Sequence, residues 1–149
     1  MSLIVGWNKG GVGTSTLHKI LKDAGVCIDE HKSGSAYQKG YKARLLPVCN
    51  NHDLFILGNK QIELNEIRDA DPDCKLFLIF NNFDPKCIQQ LQDSANEYSL
   101  TVLSTLPSRV WFKDYPFNDY PLSMMNRAEA DINEFVSPIS KLLSELEYK

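Results

Sequence analysis

Short apolar runs alternate along this chain with segments whose apolar residues recur every three or four positions. That is the pattern of strands alternating with amphipathic helices. Leu3-Ile4-Val5 is an apolar run broken at once by glycine, as suits a buried parallel strand. From Ser15 to Ala24 the spacing of Leu17, Ile20, Leu21 and Ala24 predicts a helix, and Gly25 is its natural C-terminal stop. Val26-Cys27-Ile28 predicts a second buried strand ending at Asp29. Residues 30 to 50 give no clear element: the stretch is polar, carries Gly34 and Gly40, and closes on the apolar patch Leu45-Leu46-Pro47-Val48. Leu54-Phe55-Ile56-Leu57 reads as a strand and Ile62 to Ala70 as a short helix. Leu76 to Phe80 is the strongest strand signal, Cys87 to Tyr98 is helical, and Thr101 to Leu103 is a further strand. A loop rich in proline and aromatic residues runs from Pro107 to Pro121. Arg127 to Glu147 closes the chain as a helix, with a kink or break expected at Ser137-Pro138.

Strands separated by helices imply an α/β fold with a small, mainly parallel central sheet of about five strands. The expected arrangement has the Leu3 strand internal and the Leu76 strand beside it. Ligands of such sheets sit beyond the carboxyl ends of the strands, where Gly6 to Gly13 would fall.

The length of 149 residues predicts one domain, and 43% hydrophobic with 23% charged residues is an ordinary globular balance. No apolar run approaches the roughly 20 residues of a membrane span. The first residues carry neither the basic region nor the apolar stretch of a signal peptide, so the expectation is a cytoplasmic protein. Cys27, Cys49, Cys74 and Cys87 are scattered without a CxxC pair, and His18, His31 and His52 do not complete a zinc set, so the thiols read as buried and reduced. A formal net charge of −3 supplies no general attraction to a phosphate backbone, and Lys39, Lys42 and Arg44 read as a solvated loop. Ile139, Leu142, Leu143 and Leu146 form one helical face, but Glu145 and Glu147 on the other side suit packing on the sheet better than contact with anionic lipid.

The stretch richest in chemistry is Gly6-Trp7-Asn8-Lys9-Gly10-Gly11-Val12-Gly13-Thr14-Ser15-Thr16, which follows a strand and opens a helix. Glycines without side chains let successive backbone N–H groups turn inward around an anion, and the helix N-terminus adds partial positive charge. A hydroxyl directly after such a loop can ligate Mg²⁺, a role that falls to Ser15.

A Walker A loop ends Gly-Lys-[Ser/Thr], and here Thr14 stands in the place of that lysine. Lys9-Gly10-Gly11-Val12-Gly13 nevertheless resembles the deviant Walker A loop of the ParA/MinD family of P-loop ATPases, which carries an extra lysine early in the loop. Pilus-assembly localisation proteins within that group look similar here, with a small residue in place of the second lysine. The resemblance implies a P-loop NTPase-like three-layer sandwich and places Gly10, Gly11, Val12, Gly13, Thr14, Ser15 and Thr16 around the phosphates of ATP, with Mg²⁺ on Ser15. It also implies that Lys9 reaches across a homodimer to the partner's nucleotide. Val26 to Ser35 resembles the family's strand ending Asp-x-Asp-Pro-Gln-Gly-Ser: Asp29 keeps the first acid, and His31 stands where the second positions water. Phe80-Asn81-Asn82-Phe83-Asp84-Pro85 resembles the segment whose asparagine contacts adenine, which maps to Asn81 or, second, Asn82; Thr105 to Val110 is similar to the segment that packs Pro107 against the base. Between Ser35 and Asp53 there are too few residues for the family's helical region and Walker B strand. Either His52 to Asn59 stands for that strand, with Gly58 in the acid's place, or the element is deleted. Either way the acidic partner of Mg²⁺ is missing.

Three function classes follow. One is a nucleotide-binding dimeric switch of the partition or positioning type with weak hydrolysis, using Lys9 and Asp29. Another is a pseudo-ATPase adaptor that keeps the fold without nucleotide. The last is an interaction module docking through Trp111 to Phe117, a loop rich in residues favoured at interfaces.

Overall fold

The structure, a computed structural model, describes residues 2–58, 62–107 and 114–147, without the side chains of Ile62, Asn82 and Pro107. Five strands form one sheet: β1 (Leu3–Val5), β2 (Asp29–Glu30), β3 (Ala43–Val48), β4 (Lys75–Phe83) and β5 (Thr101–Pro107). All pairings are parallel and the order is β2-β1-β3-β4-β5. The helices are α1 (Thr14–Asp23), α2 (Asn51–Gly58), α3 (Ile62–Ala70), α4 (Ile88–Glu97) and α5 (Leu122–Glu147). Two apolar clusters lie on opposite faces of the sheet, as a three-layer α/β sandwich requires. One joins Leu17, Ile20 and Leu21 of α1 and Phe135, Ile139 and Leu142 of α5 to Leu3, Val5, Leu45 and Ile79. The other joins Leu54, Leu57, Leu64, Ile67 and Leu91 to Leu46, Val48, Leu78 and Phe80.

Several sequence expectations are corrected here. β1 is internal as expected, but its inner neighbour is β3, and β4 lies one place further out. β3 is disguised by two residues. Arg44 is buried in it, and Pro47 lacks the N–H a central strand needs. Pro47 is tolerated because β1 pairs with β3 only as far as Val5 opposite Leu45. The Leu54 run is helix, not strand. Asn50 Oδ1 accepts the backbone N–H of Asp53 at 2.9 Å, capping α2 and giving a short apolar run of ambiguous period its helical start. The strand expected at Val26 to Ile28 shrinks to Asp29–Glu30, although Val26 and Ile28 are buried. α5 starts earlier than expected and runs unbroken through Pro138. Among the described residues no helix is long and apolar enough to cross a membrane.

Candidate functional site

The loop leaves β1 at Gly6, where three segments meet. Gly6 has φ +123°, and a Cβ there would lie 2.8 Å from Thr14 Cγ2 and 2.9 Å from the His31 carbonyl oxygen. Its N–H donates to Leu45 O at 2.9 Å, and its carbonyl accepts from Arg44 Nη1 at 2.9 Å, so β3 grips it from both sides. Trp7 is buried and roots the loop through Nε1, which donates to Pro47 O at 2.8 Å. Val12 is the inner anchor: its carbonyl accepts from Asn81 Nδ2 at 2.9 Å and from Cys49 Sγ at 3.8 Å.

Between these anchors the backbone N–H groups of Gly10, Gly11, Val12 and Gly13 take no hydrogen-bond partner from the described residues. Gly13, at φ 81°, is the N-cap of α1, and no side chain among the described residues caps that helix. The donors of its first turn are left open by the described residues. A cavity of about 280 Å³ opens here, lined by Lys9, Gly10, Gly11, Gly13, Thr14, Ser15 and Thr16. Glu30, His31 and Ser33 form its far wall.

Sequence reasoning placed seven residues in this wall, and it missed Glu30. Asp29 and Glu30 are consecutive on β2, so their side chains leave opposite faces. Glu30 turns to the loop, where Ser15 Oγ donates to its Oε2 at 2.8 Å. Asp29 turns away and accepts the Tyr41 hydroxyl at 2.7 Å, so the acid beside the loop is Glu30. Lys9 Nζ donates to Gly10 O at 3.1 Å and stands 3.9 Å from Asp53 Oδ1, with 32% of its side chain exposed. Asp53, a second missed acid, is buried and accepts the Cys49 N–H at 2.8 Å. Asn81 is fully buried beneath Val12 and lies outside the cavity lining, with its Oδ1 unpaired among the described residues. The Pro107 ring, the Asn82 side chain and the Trp111 end of the aromatic loop fall outside the described residues.

His31 is built into the wall rather than exposed on it. Its Nε2 donates to Asn8 Oδ1 at 2.6 Å, an oxygen identified by the Gly34 N–H that also donates to it. Its ring stacks on Tyr37 at 4.7 Å between centroids, and the Arg44 guanidinium lies 5.0 Å from the Tyr37 centroid. Tyr37 accepts the Asn8 N–H and donates to Glu63 of α3; burial, then that bond, pushes its phenol up. Burial, and secondarily the Arg44 charge, hold the His31 imidazole down at about 4. The native state therefore binds this proton less readily than the unfolded chain, whose histidine titrates near 6.5. Stability is full above that value and falls as pH drops from about 6.5 to about 4, by up to roughly 3 kcal/mol. Urea unfolding at stepped pH should show this slope, and His31→Asn should flatten it; an unchanged slope in the variant assigns the acid sensitivity elsewhere.

The donor set fits a phosphate: open backbone N–H groups, a lysine, and the hydroxyls of Thr14, Ser15 and Thr16. The Ser15 and Glu30 oxygens fit a hard or borderline divalent cation. Thr14 brings a hydroxyl and a methyl group to the start of α1, and no charge. β3, the strand beside β1, ends in Val48 and continues Cys49-Asn50 without an acid of its own, and the carboxylate at its tip is that of Asp53 from α2, which accepts the Cys49 N–H. No protein-family model and no curated protein matches this chain.

Proposed function

We propose that this chain binds ATP with Mg²⁺ through the loop of residues 6–16. It acts in the cytoplasm as a ParA/MinD-like dimeric switch in a partition or positioning system, with a protein partner and with slow or no hydrolysis. The observation that carries this reading is the cavity at the carboxyl ends of parallel strands, walled by unpaired backbone N–H groups and closed by Ser15 and Glu30. Weak turnover follows from the same wall. Thr14 brings no charge to the phosphates, Asp29 is engaged by Tyr41, and His31 is buried and neutral. Phosphoryl transfer rests on positioned charge, and loss of one well-placed donor costs about 10²–10³ in rate. Lys9 is the group left for a partner's nucleotide: its bond to Gly10 and its long pairing with Asp53 are weak enough to give up.

Calorimetric titration of ATP and ADP, each with Mg²⁺, should show saturable binding, and sedimentation should show ATP promoting a dimer. Lys9→Ala should weaken the dimer more than the binding. Absence of binding for both nucleotides sinks this reading in favour of the adaptor without nucleotide. That alternative draws support from Ser15 and Lys9 being already engaged within the chain.

A further inference from the structure

Ser15 and His18 stand three residues apart on α1 and so share one face of the helix. Opposite them, Glu30 reaches in from β2 with both carboxylate oxygens engaged: Oε2 lies 2.8 Å from Ser15 Oγ and Oε1 lies 3.4 Å from His18 Nδ1. The other ring nitrogen of His18, Nε2, is 2.9 Å from the Ile28 carbonyl oxygen. A carbonyl can only accept, so Nε2 carries a hydrogen. In the neutral ring this leaves the Nδ1 lone pair pointing at a carboxylate, two acceptors face to face. Such a pair needs a positive species between them, either a second ring proton or a cation.

We propose that Ser15 Oγ, the Glu30 carboxylate and His18 Nδ1 form a divalent cation site that takes a first-row transition metal, Mn²⁺ included, in preference to Mg²⁺. Three observations support it. A histidine that ligates metal through one nitrogen characteristically donates the other N–H to a backbone carbonyl or carboxylate, which fixes its ring, and His18 does so to Ile28. The Ser15 Oγ–Glu30 Oε2 separation of 2.8 Å is near the edge of an octahedron with bonds of about 2.1 Å, which is about 3 Å, and His18 Nδ1 stands 3.4 Å from the other carboxylate oxygen. The donor set mixes imidazole nitrogen with hard oxygens: the nitrogen suits Fe²⁺-to-Zn²⁺ chemistry, the oxygens suit Mn²⁺ as well, and Mg²⁺ is matched by the oxygens alone. Among the described residues no three His, Cys, Asp or Glu side chains gather as a closed metal cage. This site is open, with positions left for water or for phosphate oxygens from the adjoining cavity. The inference deepens the nucleotide reading by naming the cation of that cavity, yet the residues can hold the metal without nucleotide.

The test uses Mn²⁺ alone as the probe. Titrating the intact protein into Mn²⁺ should quench the free-ion paramagnetic resonance signal with one site per chain. Pulsed measurements on the bound ion should show coupling to one imidazole nitrogen. His18→Gln should abolish that nitrogen coupling and weaken binding about tenfold or more, and Glu30→Gln should weaken it further. Circular dichroism checks that both variants fold, and the nitrogen coupling in the unaltered protein needs no variant at all. A free-ion signal untouched at millimolar protein overturns the proposal. So does bound Mn²⁺ without nitrogen coupling, which assigns the ion to other ligands. Mn²⁺ binding with no affinity for ATP keeps the metal site and rejects the nucleotide reading; ATP binding with no Mn²⁺ site does the reverse.

Discussion

Gly6→Ala is expected to lose about 2–6 kcal/mol of stability and to disable the loop. Backbone at φ +123° is open to glycine and strained by roughly 1–3 kcal/mol for any residue with a Cβ. Crowding adds to that strain. The new methyl would fall 2.8 Å from Thr14 Cγ2 and 2.9 Å from the His31 carbonyl, and overpacking of this kind costs about 1–3 kcal/mol more. One of the two neighbours is backbone and cannot swing away, so relief requires β2 or the start of α1 to move. Either movement separates the walls of the cavity. Chemical denaturation reads the stability, and the Mn²⁺ titration reads the geometry. A variant as stable as the parent shows that the three segments do not meet as tightly as described.

Arg44→Ala should be comparably damaging, at about 3 kcal/mol, for a different reason. Arg44 is 1% exposed in β3, its charge lowered in pKa chiefly by burial, and its Nη1 is the donor to the Gly6 carbonyl. Truncation leaves that carbonyl buried without its partner, at about 1–3 kcal/mol, and opens a void beneath Tyr37. Arg44→Met separates these effects. It keeps most of the volume but, like alanine, removes the donor to the Gly6 carbonyl, so in urea unfolding it should lose less than Arg44→Ala by the cost of the void alone. Both variants should let His31 titrate above about 4, because the Arg44 charge is the second cause of its depression, and a nuclear magnetic resonance titration reads this directly. If Arg44→Met proves as costly as Arg44→Ala, the void costs nothing measurable, and the packing account fails.

The fold was legible where pattern and structure share a cause. Leu17, Ile20 and Leu21 recur at helical spacing because one face of α1 lies on the sheet, and Leu76 to Phe80 is apolar because β4 is covered on both sides. It was illegible where side chains serve tertiary needs. Arg44 and Pro47 hide a central strand because one braces the loop and the other accepts from Trp7. The Leu54 run has no period long enough to separate helix from strand, and the cap at Asn50 that decides it lies outside the run. In the site, the glycines and hydroxyls of the loop were readable because backbone geometry demands them in order. Glu30 was not, since choosing between adjacent acids on a strand requires knowing which face turns to the loop. Asp53 escaped because its partners, Cys49 and Lys9, are brought to it only by the junction of β3 and α2.

β2 is only two residues long and stands at the sheet's edge, held to β1 by the pairings Ile4–Asp29 and Val5–Glu30. One wall of the cavity therefore hangs from the least supported strand in the molecule, while the other is the start of a ten-residue helix packed on the core. Opening free energies in a protein are not uniform, and short edge segments lie at the low end. Backbone amides around Glu30 and His31 should accordingly exchange with solvent through excursions that leave β3 and β4 intact. Anything that bridges Ser15 to Glu30 works against those excursions, so occupancy of the cavity is registered first as protection of this rim, before any change in the global melting of the sheet.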